Sequence, residues 1–300
     1  MLVGILLTLF VGFLWSLVGV CFKYIAKEQL SIFDVSLITS TFNLIILASI
    51  LGVNLHGQGA EAVMPGMGYV LFVLAAAILS VIGNFILQWS MKYCNSSVCW
   101  AIGQSSLIVP FLAITFIFRE ELVLFKGIGT LVILGGMVLL SISSKGEVKE
   151  GGNKSFLGVL LALLSFAAMG VAGAMLSATS YLSYEDTAGF RPVLFMIAGY
   201  ITIAGGKIIT KEKGFKFNRK ALGIIIIYCL QGLLGQILQY AAMDKLRVVG
   251  MNGCFYPIAV GTCIALYSIW SIVLFREKTN RITILGTLAV LFGVCAYCFC

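Results

Sequence analysis

The chain has 300 residues, of which 60 % are hydrophobic and only 11 % charged, against roughly 25 % charged in an ordinary soluble domain. That composition excludes a water-soluble core of this length and leaves a lipid bilayer as the solvent. The net charge of +8 is spread through short polar breaks, which excludes a basic domain for nucleic acid.

A helix needs about 20 mostly apolar residues to cross a bilayer, and ten segments qualify. The first, 2–22, carries Thr8, Trp15 and Ser16; no basic region precedes it and no small-residue cleavage site follows, so it reads as a retained helix and not a signal. The second is 31–53. The third, 66–90, places Asn84 and Gln88 four apart, on one helical face. The fourth, 96–118, holds Trp100, Gln104 and Pro110 and ends in Phe118-Arg119-Glu120. The fifth, 123–142, has Gly129 and Gly136, and the polar stretch Ser143 to Ser155 follows as a linker.

The sixth, 156–178, spaces Gly170 and Ala174 by four, as Ala168 and Ala172 are, the small-residue pattern of close helix packing. The seventh, 187–209, opens near Arg191-Pro192. The eighth, 220–242, contains the run Ile224 to Ile227 and then Gln236, Gln239 and Tyr240. The ninth, 248–275, places Asn252 and Tyr256 four apart, includes Pro257 and ends in Phe275-Arg276-Glu277; the tenth is 281–299. Barrel strands are half as long and alternate polar with apolar, so ten glycine-bearing segments predict an all-α, polytopic protein of ten transmembrane helices.

The second half repeats the first. At a constant offset of 157, Phe118-Arg119-Glu120 meets Phe275-Arg276-Glu277, Gly129-Thr130-Leu131 meets Gly286-Thr287-Leu288, Leu134 meets Leu291 and Gly136 meets Gly293. A weaker match at offset 154 sets Gly4, Leu6, Leu7, Leu9 and Gly19 over Gly158, Leu160, Leu161, Leu163 and Gly173. The expected units are 1–142 and 156–300, each of five spans. An odd number forces opposite orientations, giving an inverted repeat around a midplane site.

Leu14-Trp15-Ser16 followed after six residues by Lys23, the aromatic-basic-Glu turn ending the fourth span, and Gly129 and Gly136 in the fifth resemble the EamA-like branch of the drug/metabolite transporter superfamily. The resemblance covers the whole chain and implies a secondary transporter of a small metabolite or drug. It also implies a central cavity lined by the first four spans of each half, with the fifth and tenth as packing struts. It names no substrate.

Loops after odd-numbered spans hold 15 Lys and Arg and loops after even-numbered spans five. The positive-inside rule then puts both termini outside, in a bacterial cytoplasmic (inner) membrane; relatives in eukaryotic internal membranes with cytosolic termini provide the opposite alternative. The nine cysteines fall almost entirely within spans, as small apolar side chains. Cys295, Cys298 and Cys300 lack a second pair for a metal, and no cofactor is expected. No phosphate-binding loop occurs, so the chain does not hydrolyse ATP. Asp34, Asp186 and Asp244 lie at span ends, Glu120, Glu121 and Glu277 at turns, and His56 in a loop. With no acid at depth, proton coupling, exchange with a counter-substrate and facilitated diffusion all stay open.

What remains at depth is uncharged. At offset 152, Asn84 and Gln88 map to Gln236 and Tyr240, and Trp100 and Gln104 to Asn252 and Tyr256. A buried amide without a partner is costly in hydrocarbon, so these groups face either neighbouring helices or a wet cavity. The expected substrate-binding set is Trp15, Asn84, Gln88, Trp100, Gln104, Gln236, Gln239, Tyr240, Asn252 and Tyr256. Trp15 and Trp89 stack on substrate or join an interfacial belt; Lys23 snorkels or guards a cavity mouth; Arg191 attracts an anion or pairs with Glu185 or Asp186. Pro110 and Pro257 shape the cavity or simply bend their helices. A neutral or zwitterionic polar substrate suits such a lining. A membrane enzyme would need an Asp pair, a Ser with a His, or a metal cluster, and none is assembled. The rival reading is a non-transporting receptor or scaffold.

Overall fold

The computed structural model describes residues 1–28, 30–58, 64–93, 96–143, 152–182, 189–211, 219–276 and 280–299. Its helices are α1 (Leu2–Lys27), α2 (Ile32–Gln58), α3 (Met67–Tyr93), α4 (Ser96–Gln104), α5 (Ile108–Ile117) and α6 (Leu124–Ser143). They continue as α7 (Gly152–Leu182), α8 (Phe190–Thr210), α9 (Arg219–Arg247), α10 (Phe255–Phe275) and α11 (Arg281–Ala296). Among the described residues there is no strand. Nine stretches of the described residues are long and apolar enough to cross a membrane, α4 and α5 together making one of them. The tenth, α11, has 16 α-helical residues and ends in the 3-10 turn Tyr297–Phe299. Helices overrun several expected ends; α1 runs to Lys27, because the backbone needs its hydrogen bonds until the chain reaches the headgroups.

Two spans contain a break, and both follow from proline. Ser105–Leu107 is a 3-10 turn between α4 and α5, and Pro110 is the third residue of α5. Asn252–Cys254 is a 3-10 turn before α10, and Pro257 is the third residue of that helix. Neither proline has an N–H for the carbonyl four residues back, so Ser106 and Gly253 lose that helical partner and the chain tightens there.

The repeated aromatic-Arg-Glu motif ends its spans by backbone geometry. Arg119 and Arg276 both adopt left-handed conformations, at φ 54° and 53°, which close a helix at a cost of roughly 1–2 kcal/mol for a residue with a Cβ.

Helix pairings keep the same pattern when the halves are exchanged. α1 packs on α9 and α10, as α7 packs on α3 and on α4–α5; α2 packs on α9 as α8 packs on α3. α2 meets α8 and α6 meets α11. The last pair is packed backbone to backbone. A Cβ on Gly129 would lie 2.9 Å from the Gly293 carbonyl oxygen, and one on Gly293 2.7 Å from that of Gly129. Gly136 and Gly286 stand in the same relation, at 2.8 and 3.0 Å. The two helices therefore run antiparallel with backbones touching, and the Thr130 hydroxyl meets the Tyr297 hydroxyl beside them. The largest apolar core, with Val11, Met243, Leu246, Phe255 and Ile258, lies where α1, α9 and α10 meet.

Alternating crossings bring the start of α1 and the end of α11 to one face, the terminal face. The opposite face carries the loops after the odd-numbered spans and is the basic face.

Candidate functional site

Eight of the ten spans surround a central cavity of about 340 Å³, and none of its lining residues comes from α6 or α11. It extends toward the basic face: Ile32, the first residue of α2, Phe22 near the end of α1 and Gln88 near the end of α3 all line it. Every lining residue among the described ones is uncharged.

Helical periodicity aims these side chains. On α2, Ser36, Thr39, Ser40 and Asn43 follow the i, i+3, i+4, i+7 spacing of one face. On α9 the lining positions are Tyr228, Gln231, Gly232, Gln236 and Gln239. α8 contributes only Phe195, Met196, Gly199 and Ile203, and α7 Met169, Gly173 and Leu176. The cavity thus has a polar flank on α2, α3 and α9 and an apolar flank on α7 and α8.

Individual groups differ in how firmly they are held. Asn84 donates from Nδ2 to the Ser80 carbonyl of its own helix at 2.9 Å. Asn43 accepts the Cys229 thiol at 3.0 Å, and Gly232 leaves room for its amide, since a Cβ there would meet Nδ2 at 2.6 Å. The buried Oε1 of Gln236 has no hydrogen-bond partner among the described residues. Trp15 packs edge-on to Phe255 and 6.2 Å from the Tyr256 ring, while Ser16 beside it accepts the Trp270 indole N–H at 3.0 Å. Such a site can hold a ligand by amide and hydroxyl hydrogen bonds and ring contacts, with no ionic anchor.

Of the expected residues, Trp15, Asn84, Gln88, Trp100, Gln104, Gln236, Gln239 and Tyr256 line the cavity together. Tyr240 and Asn252 do not. At 3.6 residues per turn, Gln239 points about 20° from the direction of Gly232 and Tyr240 about 80°, toward Arg191, whose guanidinium lies 4.9 Å from the Tyr240 ring. Asn252 sits in the 3-10 turn before α10, where its side-chain amide donates to the Ser177 carbonyl at 2.9 Å.

The alternatives left open by sequence divide as follows. Trp89 is 43 % exposed and outside the lining, as an interfacial aromatic is. Lys23 lies over the Phe275 ring, 4.1 Å from its centroid, and does not line the cavity. Arg191, 1 % exposed, pairs with Asp244 of α9 through both guanidinium nitrogens; Glu185 and Asp186, its expected partners, fall outside the described residues. Asp34 pairs with Lys207, joining α2 to α8. Pro110 lines the cavity and Pro257 does not. Cys295 is exposed on α11, and no cluster of three His, Cys, Asp or Glu able to hold a metal occurs among the described residues. Sequence reading missed the α2 stripe, although its spacing is legible.

Fold and cavity define a polytopic helical membrane protein built around a polar, uncharged chamber. Residues 2–142, the first five spans, match the EamA-like transporter family. A solved structure titled "Crystal structure of protein" is similar in fold at 13 % identity, with a TM-score of 0.76 over 99 % of this chain and 96 % of that one. No curated protein matches.

Proposed function

We propose that this protein is a secondary transporter that carries a small neutral or zwitterionic polar molecule by alternating access between two inverted units, 1–142 and 156–300. The observation that carries this reading is the uncharged cavity of amides, hydroxyls and rings, enclosed by four spans from each unit. A polyanion would call for Arg or Lys at depth.

The inverted arrangement is supported by the strut glycines. Offset 157 turns Gly129 into Gly286 and Gly136 into Gly293, so the contact Gly129–Gly293 becomes Gly286–Gly136, the other contact of the same antiparallel pair. Such an exchange is what a two-fold axis in the membrane plane would produce. The matching left-handed turns at Arg119 and Arg276 support it as well.

With the basic face cytoplasmic, the cavity is open inward in this conformation and the protein resides in a bacterial cytoplasmic membrane. Among the described residues the lining offers no carboxylate or imidazole to carry a proton, which favours exchange with a counter-substrate or facilitated diffusion. The test is thermal stabilisation of purified protein by amino acids, sugars, nucleosides and cationic drugs. A stabilising compound should lose its effect in the Gln104→Ala/Gln236→Ala double variant; stabilisation surviving that change would remove the proposed site.

A further inference from the structure

The terminal face is shut by polar contacts between the two units, gathered on one carboxylate. Glu120, in the turn after α5, accepts the backbone N–H of Asn252 at 2.7 Å and the Tyr181 hydroxyl through one oxygen, and the N–H of Gly253 at 3.0 Å through the other. Glu120 belongs to the first unit; Tyr181, Asn252 and Gly253 belong to the second. A Cβ at Gly253 would lie 3.2 Å from the carboxylate, so glycine permits the close approach. Two weaker ties flank it. Lys126 of α6 donates to the Gly250 carbonyl at 2.7 Å, and the Phe118 ring stacks on Tyr181 at 4.2 Å. A negative charge against the first N–H groups of a helical segment is favourable, and hydrogen bonds to an ionised group are stronger than neutral ones.

Beneath this seam lie polar atoms that the closed state leaves without hydrogen bonds among the described residues: Ser177 Oγ, Tyr240 OH, Arg247 Nε and Asn252 Oδ1. Three of these residues adjoin the cavity wall. Tyr240 is one turn beyond Gln236, Asn252 four residues before Tyr256, and Ser177 next to Leu176. Burying such atoms unpaired costs free energy that water would restore. The closed seam therefore combines a set of hydrogen bonds to one carboxylate with a buried polar file that gains on wetting, which makes it a two-state element.

Resting on the alternating-access reading above, we infer that Glu120 is the latch of the terminal face, and that Ser177, Tyr240 and Asn252 line the path that opens when it releases. Releasing the latch shifts the population toward a state open on the terminal side, without a change in the cavity itself.

Cys263 lines the cavity and reports this directly. A full-length form keeping Cys263 as its one cysteine is reconstituted in vesicles and treated with a membrane-impermeant maleimide from either face. The unmodified latch should give labelling from the basic face only. Glu120→Gln should raise the labelling rate from the terminal face about tenfold, as a shift of ~1.4 kcal/mol in a two-state equilibrium does. Tyr181→Phe, which removes one hydrogen bond and keeps the charge, should give a smaller rise and serves where Glu120→Gln fails to fold. Labelling confined to the basic face in both variants would overturn the latch and leave the cavity reading standing. Failure to label from either face in folded protein would sink the cavity reading, and the latch with it.

Discussion

The α6–α11 pair and the walls of the cavity are built on opposite packing rules. In the pair, glycines bring two backbones into contact and leave no space; in the walls, polar side chains stand around a chamber of about 340 Å³. Under the proposed inverted repeat the first arrangement must be kept in both units, because each glycine contact needs its counterpart, whereas wall residues are free to diverge. α2 and α8 demonstrate that freedom. They pack on each other and would be counterparts in the proposed repeat, yet α2 offers Ser36, Thr39, Ser40 and Asn43 where α8 offers Phe195, Met196, Gly199 and Ile203.

The largest effect should come from breaking the strut. Gly136→Val places methyl groups against the Gly286 carbonyl and Val290, and neither backbone can retreat; we expect overpacking at or above the usual ~1–3 kcal/mol, read as loss of monodisperse protein in gel filtration. The adjacent Gly135 has no described atom of another helix within 4 Å of its Cβ position, so Gly135→Ala should leave thermal stability unchanged or raise it slightly. Equal sensitivity at the two sites would undo the contrast.

On the polar wall, Asn43→Leu removes an amide that faces the cavity and accepts the Cys229 thiol. Transport should fall roughly 10- to 100-fold, the effect of about 1–3 kcal/mol in a polar contact, with folding intact. On the apolar wall, Ile203→Asn should cost less than about tenfold and should shift competition assays toward more polar ligands. A loss as large as that of Asn43→Leu would mean the two walls are not distinct. The smallest effect is expected at Thr39, whose hydroxyl is turned back to the Val35 and Ser36 carbonyls. Thr39→Val should change transport by less than about twofold, since a satisfied intrahelical hydroxyl has little left to give a ligand.

Those hydroxyls also explain what sequence could reveal. The spans are legible because hydrocarbon demands long apolar stretches, and the amides of α3, α4 and α9 stand out because hydrocarbon penalises them. The α2 stripe is quieter: a short hydroxyl such as that of Thr39, bonded back to its own helix, reads as helix filler, leaving Asn43 as the one loud member. The register of α9 was legible through Gln236 and Gln239 and failed at Tyr240, where one further residue turns the side chain off the cavity and onto Arg191. The Arg191 pairing with Asp244 was hidden because its partner lies 53 residues away on another helix, where spacing in sequence carries no signal.

The absence of charge from the cavity lining has an electrical consequence. A membrane potential does work of about 2.3 kcal/mol on each elementary charge moved across 100 mV. A lining whose described residues include no Asp, Glu, Lys, Arg or His would, on closing around the proposed neutral molecule, give that field nothing to pull. Flux through such a carrier is set by solute concentrations on the two sides, and a potassium diffusion potential imposed across the vesicle should leave its rate unaltered.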